Sequence, residues 1–488
     1  MDGRLSVEKG IQAVPSRPIA SDPPRSSLGF FPHKKQESLT LGTMLMPIIE
    51  GKSHLRRLVP IGLHSFLTMT LMILLGGGCA SYTEEIQDMR IAYSNANYSK
   101  ALEKLEQSPL KGQSKNRLLY HLEKGLIYDR LGDAAAARKS LFEAANAAEE
   151  LFTTSVTSTA ASFVVSETST DYDGEDYEKV AIHTMLALSF LETGDLRKAR
   201  VEAKQIITQL HAINSKYDEK TKNRYADDAF ALTLSGLTFE ALGEWNDAGI
   251  DYRRALSLYE SYYDSFHQGG VPEGLVQAVY RVSKLRKDKA TLQTLEKRYA
   301  NIIHGIEKKE GAGYLVVIHE LGQVAPKIAK RHLIPVGRQV LNITFPVMHR
   351  HTMSTYGRTG IEIGKNHWVP AENYQDMTAI AHFSLEDRRL RMVAKQTARL
   401  IAKGAATEAA HENFGALGGL AVNLLAAATE TADTRSWTSL PDGMSISRVE
   451  LPPGKHAVQI FHDGRLADTQ SVEIESGKIH IFRVKGGR

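Results

Sequence analysis

The chain has 488 residues, of which 24% are charged, a formal net charge of +4 and one cysteine. Residues 1–78 hold 9 Lys+Arg and 5 Asp+Glu, leaving 51 of each from Cys79 onward, a balance without the clustered basic face that nucleic-acid binding needs. A lone cysteine excludes a disulfide framework and a cysteine zinc site, so stability has to come from packing.

Residues 1–45 carry Pro15, Pro18, Pro23, Pro24 and many serines with no helical or strand period, and are expected to be disordered. They read as an over-long start, with Met44 or Met46 the better initiator, or as a cleaved extension. Residues 46–78 read as a signal segment. Lys52, Arg56 and Arg57 precede an apolar run from Leu63 to Leu75, and Gly76-Gly-Gly78 leads into Cys79. The run is too short and wrongly flanked for an ordinary membrane span. This stretch resembles the lipobox of bacterial lipoproteins, with one departure: Gly76 stands where that family usually has leucine. The resemblance implies a diacylglyceryl group on the Cys79 thiol, cleavage before Cys79 and acylation of the new amino group. Two or three acyl chains hold a protein firmly to a bilayer, at about 0.8 kcal/mol per buried CH₂. Residue 80 is Ala, not the Asp that retains such proteins in the inner membrane, so in a Gram-negative cell the expected place is the outer membrane, facing the periplasm.

Residues 79–305 show an internal repeat. Gly125…Tyr128, Gly132 and Ala137 recur as Ala187…Phe190, Gly194 and Ala199, and again as Gly236…Phe239, Gly243 and Ala248. In each copy the first small residue precedes the central alanine by twelve positions and the turn glycine precedes it by five. Met89, Ala92, Ala96 and Ala101 form a weaker first copy, and about Leu275 to Ile303 forms a last hairpin. Small residues let paired helices approach, the aromatic fills the gap above them, and the glycine ends the first helix. Asp133, Asp195 or Glu244 then sits where the helix dipole favours an anion. The pattern resembles the tetratricopeptide repeat (TPR), whose period is about 34 residues. The central alanines here are 36, 62 and 49 apart, counting from Ala101, so irregular hairpins separated by insertions are expected. The acidic run Asp171 to Asp176 lacks the ligand pattern of a calcium loop and reads as capping carboxylates.

Residues 311–440 change period. Strands are expected at Tyr314–His319, at Val340–Phe345 (stopped by Pro346) and at Trp368–Pro370, followed by an amphipathic helix from Ser384 to His411 with Arg388 and Arg391 on its polar side. Phe414 to Ala428, small and apolar, reads as a buried helix too short to span a bilayer. Residues 441–488 alternate as four short strands, a small β-meander or sandwich with turns at Gly454, Gly464 and Gly477. The fold class is thus mainly α, an irregular TPR-like array followed by a mixed α/β region and a C-terminal β module. The order of lipobox, repeats, His319-Glu320 strand and Ala432-Asp-Thr-Arg-Ser-Trp437 resembles a family of largely uncharacterised bacterial TPR-containing lipoproteins. That resemblance lies near lipoprotein activators of penicillin-binding proteins and implies an envelope role.

No standard catalytic motif is present, and His349 and His351 lack a third metal ligand nearby. No metal and no cofactor are expected. His319, Glu320, Asp433, Arg435 and Trp437 are the candidate junction or ligand residues; the last three could bind a ligand carboxylate or sugar, but such a set more often is an ion pair and aromatic anchor locking the helix-to-strand junction. Two functions follow. One is a lipid-anchored scaffold whose repeats hold an envelope protein or peptide. The other is a cell-wall or glycan-binding protein or enzyme, which requires the five candidates to share one pocket in the 314–440 region.

Overall fold

The computed structural model describes residues 82–157, 167–217, 225–266, 270–304, 311–336, 339–348, 357–364, 366–389, 391–393, 412 and 432–486. Cys79, His349, His351 and the segments 394–411 and 414–428 lie outside the described residues.

After one short helical turn, Tyr82–Glu85, ten helices pair as five antiparallel hairpins: α1 (Gln87–Ser94) with α2 (Tyr98–Gln107), α3 (Arg117–Arg130) with α4 (Ala134–Thr157), α5 (Asp176–Glu192) with α6 (Leu196–Lys216), α7 (Ala229–Ala241) with α8 (Trp245–Phe266), and α9 (Glu273–Arg286) with α10 (Lys289–Ile303). The turns follow from local chemistry. Gly132, Gly194 and Gly243 have φ of 81°, 74° and 75°, and Asp133 and Asp195 accept from the amides of Ala136 and Lys198. The first and last hairpins turn at the same place without glycine: Ala96 and Lys287 both have φ of 57°, a left-handed conformation costing an L-residue roughly 1 kcal/mol.

Pairing within hairpins is a matter of size. A methyl group placed on Gly125 would lie 2.8 Å from Leu141, and one on Gly236 would lie 2.5 Å from the Tyr252 ring. The equivalent pair in the middle hairpin is Ala187 and Ala203, both fully buried. Glycine therefore faces the large residues, and alanine suffices opposite alanine. The central alanines Ala137, Ala199 and Ala248 are fully buried.

The C-terminal part contributes two four-stranded sheets and a hairpin. Sheet one runs β10 (Ile479–Lys485), β1 (Gly313–Leu321), β7 (Gly443–Leu451), β6 (Glu372–Asp376), with β1 and β10 parallel and the other pairs antiparallel. Sheet two runs β5 (His367–Pro370), β4 (Gly360–Ile363), β8 (Gly454–His462), β9 (Arg465–Ile474). β2 (Lys327–Val336) and β3 (Gln339–Met348) pair with each other. Residues 377–389 form helix α11.

β1 is buried on both faces. Val316 and Ile318 join the helical core, whereas Leu315 and Val317 join Ile361, Val458, Ile460 and Val472 between the sheets. The layers are helices, sheet one, sheet two.

Four expectations need correction. Strands from 443–485 and from 313–376 share both sheets, so a boundary at 440/441 cuts through the sandwich instead of separating a module. Pro346 does not stop β3, which continues to Met348; in a two-stranded hairpin, proline's missing N–H can face away from the partner. The amphipathic helix is already under way at 377, because Asp376 accepts from the Ala379 amide at 2.8 Å. Arg388, expected in solvent, pairs with the buried Glu175.

The turn and packing rules give opposite expectations for two substitutions. Gly236→Ala forces a methyl into the Tyr252 ring and should destabilise by about 1–3 kcal/mol despite alanine's better helix propensity. Lys287→Gly relieves a left-handed residue and should stabilise by up to about 1 kcal/mol. Urea midpoints of the two variants against wild type check both signs.

Candidate functional site

The polar residues that matter lie where the first helices of the hairpins meet the C-terminal part. Helices α5 and α7 are buried along nearly their whole length. Acidic side chains on such a face have to find donors from the chain itself.

Glu123 on α3 is fully buried. Its carboxylate accepts from the Thr438 amide at 2.7 Å, the Thr438 hydroxyl at 2.8 Å, the Ser439 amide at 3.1 Å and the Tyr82 hydroxyl at 3.2 Å. Glu178 on α5 accepts from the Trp437 amide at 2.7 Å, the Tyr172 hydroxyl at 2.6 Å and the Glu175 amide at 3.0 Å. Two helix carboxylates thus grip three consecutive backbone amides, 437 to 439. The Trp437 ring is buried, with Nε1 donating to Ser439 Oγ.

Arg435 forks onto Asp433 through Nε and Nη2, and its Nη1 donates to Asn116 Oδ1 and the Thr170 carbonyl. The Arg435 carbonyl accepts from Lys327, which also pairs with Glu175. Burial drives the Glu178 pKa up to about 7, aided by the neighbouring Glu175 charge. Burial pushes Glu175 upward too, but Arg388 and Lys327 outweigh it and hold that carboxyl at about 2.

Glu320 belongs to a second cluster. It pairs with Arg130 at 2.9 Å and with Arg483 of β10, which forks onto Asp129 at 2.8 Å through both contacts. Lys485 pairs with Glu192 at 2.9 Å. Burial raises the Asp129 pKa, yet Arg483 and Lys485 bring it below the usual range. A third cluster is centred on Glu240, the only charged residue of α7, which binds Arg448 of β7, Arg281 of α9 and the Tyr252 hydroxyl.

His319, adjacent to Glu320, points to the other face of β1. Its Nδ1 lies 3.0 Å from His462 Nε2 and its Nε2 lies 3.1 Å from Ser447 Oγ. Burial, then His462, lowers its pKa to about 3, which keeps the imidazole neutral.

The five candidate residues therefore do not meet in one pocket. His319 lies between the sheets, Glu320 in the Arg130–Arg483 cluster, and Asp433, Arg435 and Trp437 in the junction. The ion-pair and aromatic-anchor reading describes the last three. The acids at 173–176 are engaged by Lys179, Lys327, Arg388 and Tyr217. Among the described residues, no group of three or more metal-ligating side chains occurs and no helix is long and apolar enough to cross a membrane.

Sequence reasoning missed Glu123, Asp129, Glu178 and Glu240. A signal existed for α3, where Glu123 follows Leu119 by four and precedes Leu126 by three, on the apolar stripe.

No family model matches the chain, and no curated protein does. Solved structures do. MamA AMB-1 is 13% identical over 46% of this chain and 92% of its own, with a TM-score of 0.27. A putative kinesin light chain from Podosopora anserina with nearly identical TPR-like repeats is 13% identical over 46% and 96%, with a TM-score of 0.30. BtubC from P. vanneervenii is 14% identical over 51% and 86%, with a TM-score of 0.28. The repeat reading itself stands on the five hairpins and their turns.

Glu178 makes the junction pH-sensitive in a defined direction. Its folded pKa lies above the unfolded carboxyl value, so its contribution is fully present at low pH and is lost as pH rises through about 7. The stability of wild type relative to Glu178→Gln should fall between pH 5 and pH 8. Urea unfolding of both proteins across that window checks it; a flat difference counts against the assignment.

Proposed function

We propose that this protein is a lipid-anchored scaffold of the bacterial cell envelope, holding a partner protein on its helical hairpins. The lipobox-like run ending at Cys79 supports the anchor, with Ala80 favouring the outer membrane of a Gram-negative cell and a periplasmic orientation. A link to envelope or peptidoglycan biogenesis rests on the family resemblance of the whole order of elements.

One observation carries the choice of surface. The first helices are covered by the chain's own sandwich and by residues 433–439, so the face on which a repeat array ordinarily presents an extended site is filled internally. The second helices keep an open side. Phe142 on α4, Val201 on α6 and Ile250 on α8 are 41%, 53% and 54% exposed. One large apolar side chain on each of three successive hairpins gives a partner repeated footholds, and the partner reading places the contact there. The glycan reading loses its support, since it required the five candidates to gather.

Photo-crosslinkers at positions 201 and 250, activated in the native envelope, should capture a reproducible protein partner, identified by mass spectrometry. Crosslinks no richer than those from a position buried in the sandwich, such as 458, would overturn the reading.

Cys79→Ala tests the anchor separately. Wild type should take up labelled fatty acid and fractionate with membranes. The variant should take up none, and be either tethered by an uncleaved signal or soluble in the periplasm. A soluble, unlabelled wild type would remove the lipid from the proposal.

A further inference from the structure

Beside the 433–439 junction lies a cavity of about 290 Å³. Its walls are the Tyr172–Glu175 turn, Lys327 of β2, Pro346 of β3, and Leu385, Arg388, Arg391 and Met392 of the α11 region. This volume is at the small end for ligand pockets, enough for one residue of a chain.

The cations around it are unevenly satisfied. Arg435 is committed to Asp433, Asn116 and the Thr170 carbonyl. Lys327 and Arg388 share one carboxylate, Glu175, each taking one of its oxygens. Arg388 Nε is enclosed and has no acceptor. Behind the Asp173–Gly174 wall, Lys179 Nζ is also enclosed without a hydrogen bond, its nearest carboxylate oxygen lying 3.7 Å away on Asp173. Buried donors almost always have acceptors in folded proteins, and a guanidinium N–H left over on a cavity wall, with a second unsatisfied cation just behind it, calls for an anion there. Asp171, Asp173 and Asp433 also line the walls. Their charge opposes a dianion and leaves room for a single negative charge flanked by apolar surface from Leu385, Met392 and Pro346.

We infer that this cavity binds a carboxylate carried on a peptide, received by Arg388 Nε with Lys327 as the second charge. The cavity and its orphan donor on Arg388 stand on their own geometry; that the carrier is a peptide rests on the scaffold reading above. The carboxylate comes from a chain end or from an acidic side chain, and both sources present the same chemistry.

Isothermal titration calorimetry of the detergent-solubilised full protein decides the matter with three probes: acetyl-Ala-Ala with a free carboxylate, acetyl-Ala-Glu-amide and acetyl-Ala-Ala-amide. The expected result is binding of at least one carboxylate probe and none of the capped dipeptide. The first probe alone identifies a chain end, and the second alone identifies a side chain. Arg388→Gln should weaken the bound probe tenfold or more, while Arg389→Gln, on the exposed neighbour, should leave it unchanged. Should Arg388→Gln fail to fold, Met392→Trp fills the cavity instead and should abolish binding. Equal binding of the capped dipeptide, no binding of either carboxylate, or wild-type affinity in Arg388→Gln or Met392→Trp overturns the inference. Partner crosslinking at 201 and 250 that persists in Arg388→Gln leaves the scaffold reading intact, so the two failures are distinguishable.

Discussion

Burying a carboxylate on a helix creates an obligation that only another part of the chain can meet. Glu123, Asp129, Glu178 and Glu240 sit on faces without water, where an unpaired charge costs several kcal/mol. Each is met from residues after 430: the amides of 437–439, Arg483 of β10 and Arg448 of β7. The hairpins and the sandwich are therefore one unit in energetic terms. Without the residues after 430 the helices would keep only part of what these acids need: Tyr82 for Glu123, Tyr172 for Glu178, and Arg281 and Tyr252 for Glu240. Pairs of this kind confer selectivity more than raw stability, since an apolar replacement of the whole pair often does as well while removal of one member does much worse.

The sandwich gains its place in the same way. β10 lies parallel to β1 with Tyr314 opposite Ile479, so the strand that carries Arg483 to Asp129 is paired across most of the C-terminal part. The hairpins form from local contacts, whereas this pairing waits for the chain to be complete. Alternation along β1 then sorts chemistry by face: odd positions 315, 317 and 319 enter the space between sheets, and even positions 316, 318 and 320 face the helices. Neighbours in sequence, His319 and Glu320 are placed in different environments by the period of a strand.

What was legible in the sequence follows the range of the interactions. Turn glycines, capping aspartates and the small-to-large complement between paired helices act over a few residues or one hairpin, and their spacing shows in the chain. The strand at Tyr314 was legible because a strand buried on both faces is a continuous apolar run. β2 was not, since Lys327–Val336 carries Lys330, Arg331, His332 and Pro335 and has no clean alternation. The acids of the junction were harder to see, Glu123 showing only through its place on the apolar stripe of α3, for a plainer reason. An isolated Glu on a helix ordinarily faces water, and only the arrival of residues 437–439, more than 250 positions away in each case, makes Glu123 and Glu178 interior groups. Asp433, Arg435 and Trp437 were recognisable as a set, but the choice between ligand site and structural lock depended on partners such as Asn116 and Thr170 that no spacing reveals.

On the proposed lipid anchor, the N-terminal end would tie these constraints to a membrane. Tyr82 donates to Glu123, the same carboxylate that holds Thr438 and Ser439, and Thr83 Oγ1 donates to the Lys327 carbonyl. The first described residues are thus fastened to the junction itself. Cys79 precedes Tyr82 by three residues, which span at most about 10–11 Å when extended. If Cys79 carries the lipid, no long linker separates anchor and body, and the α1 end of the array stays close to the bilayer surface. A partner on the outer sides of α6 and α8 would then be met at a height set by the length of the array, not by a tether's random reach.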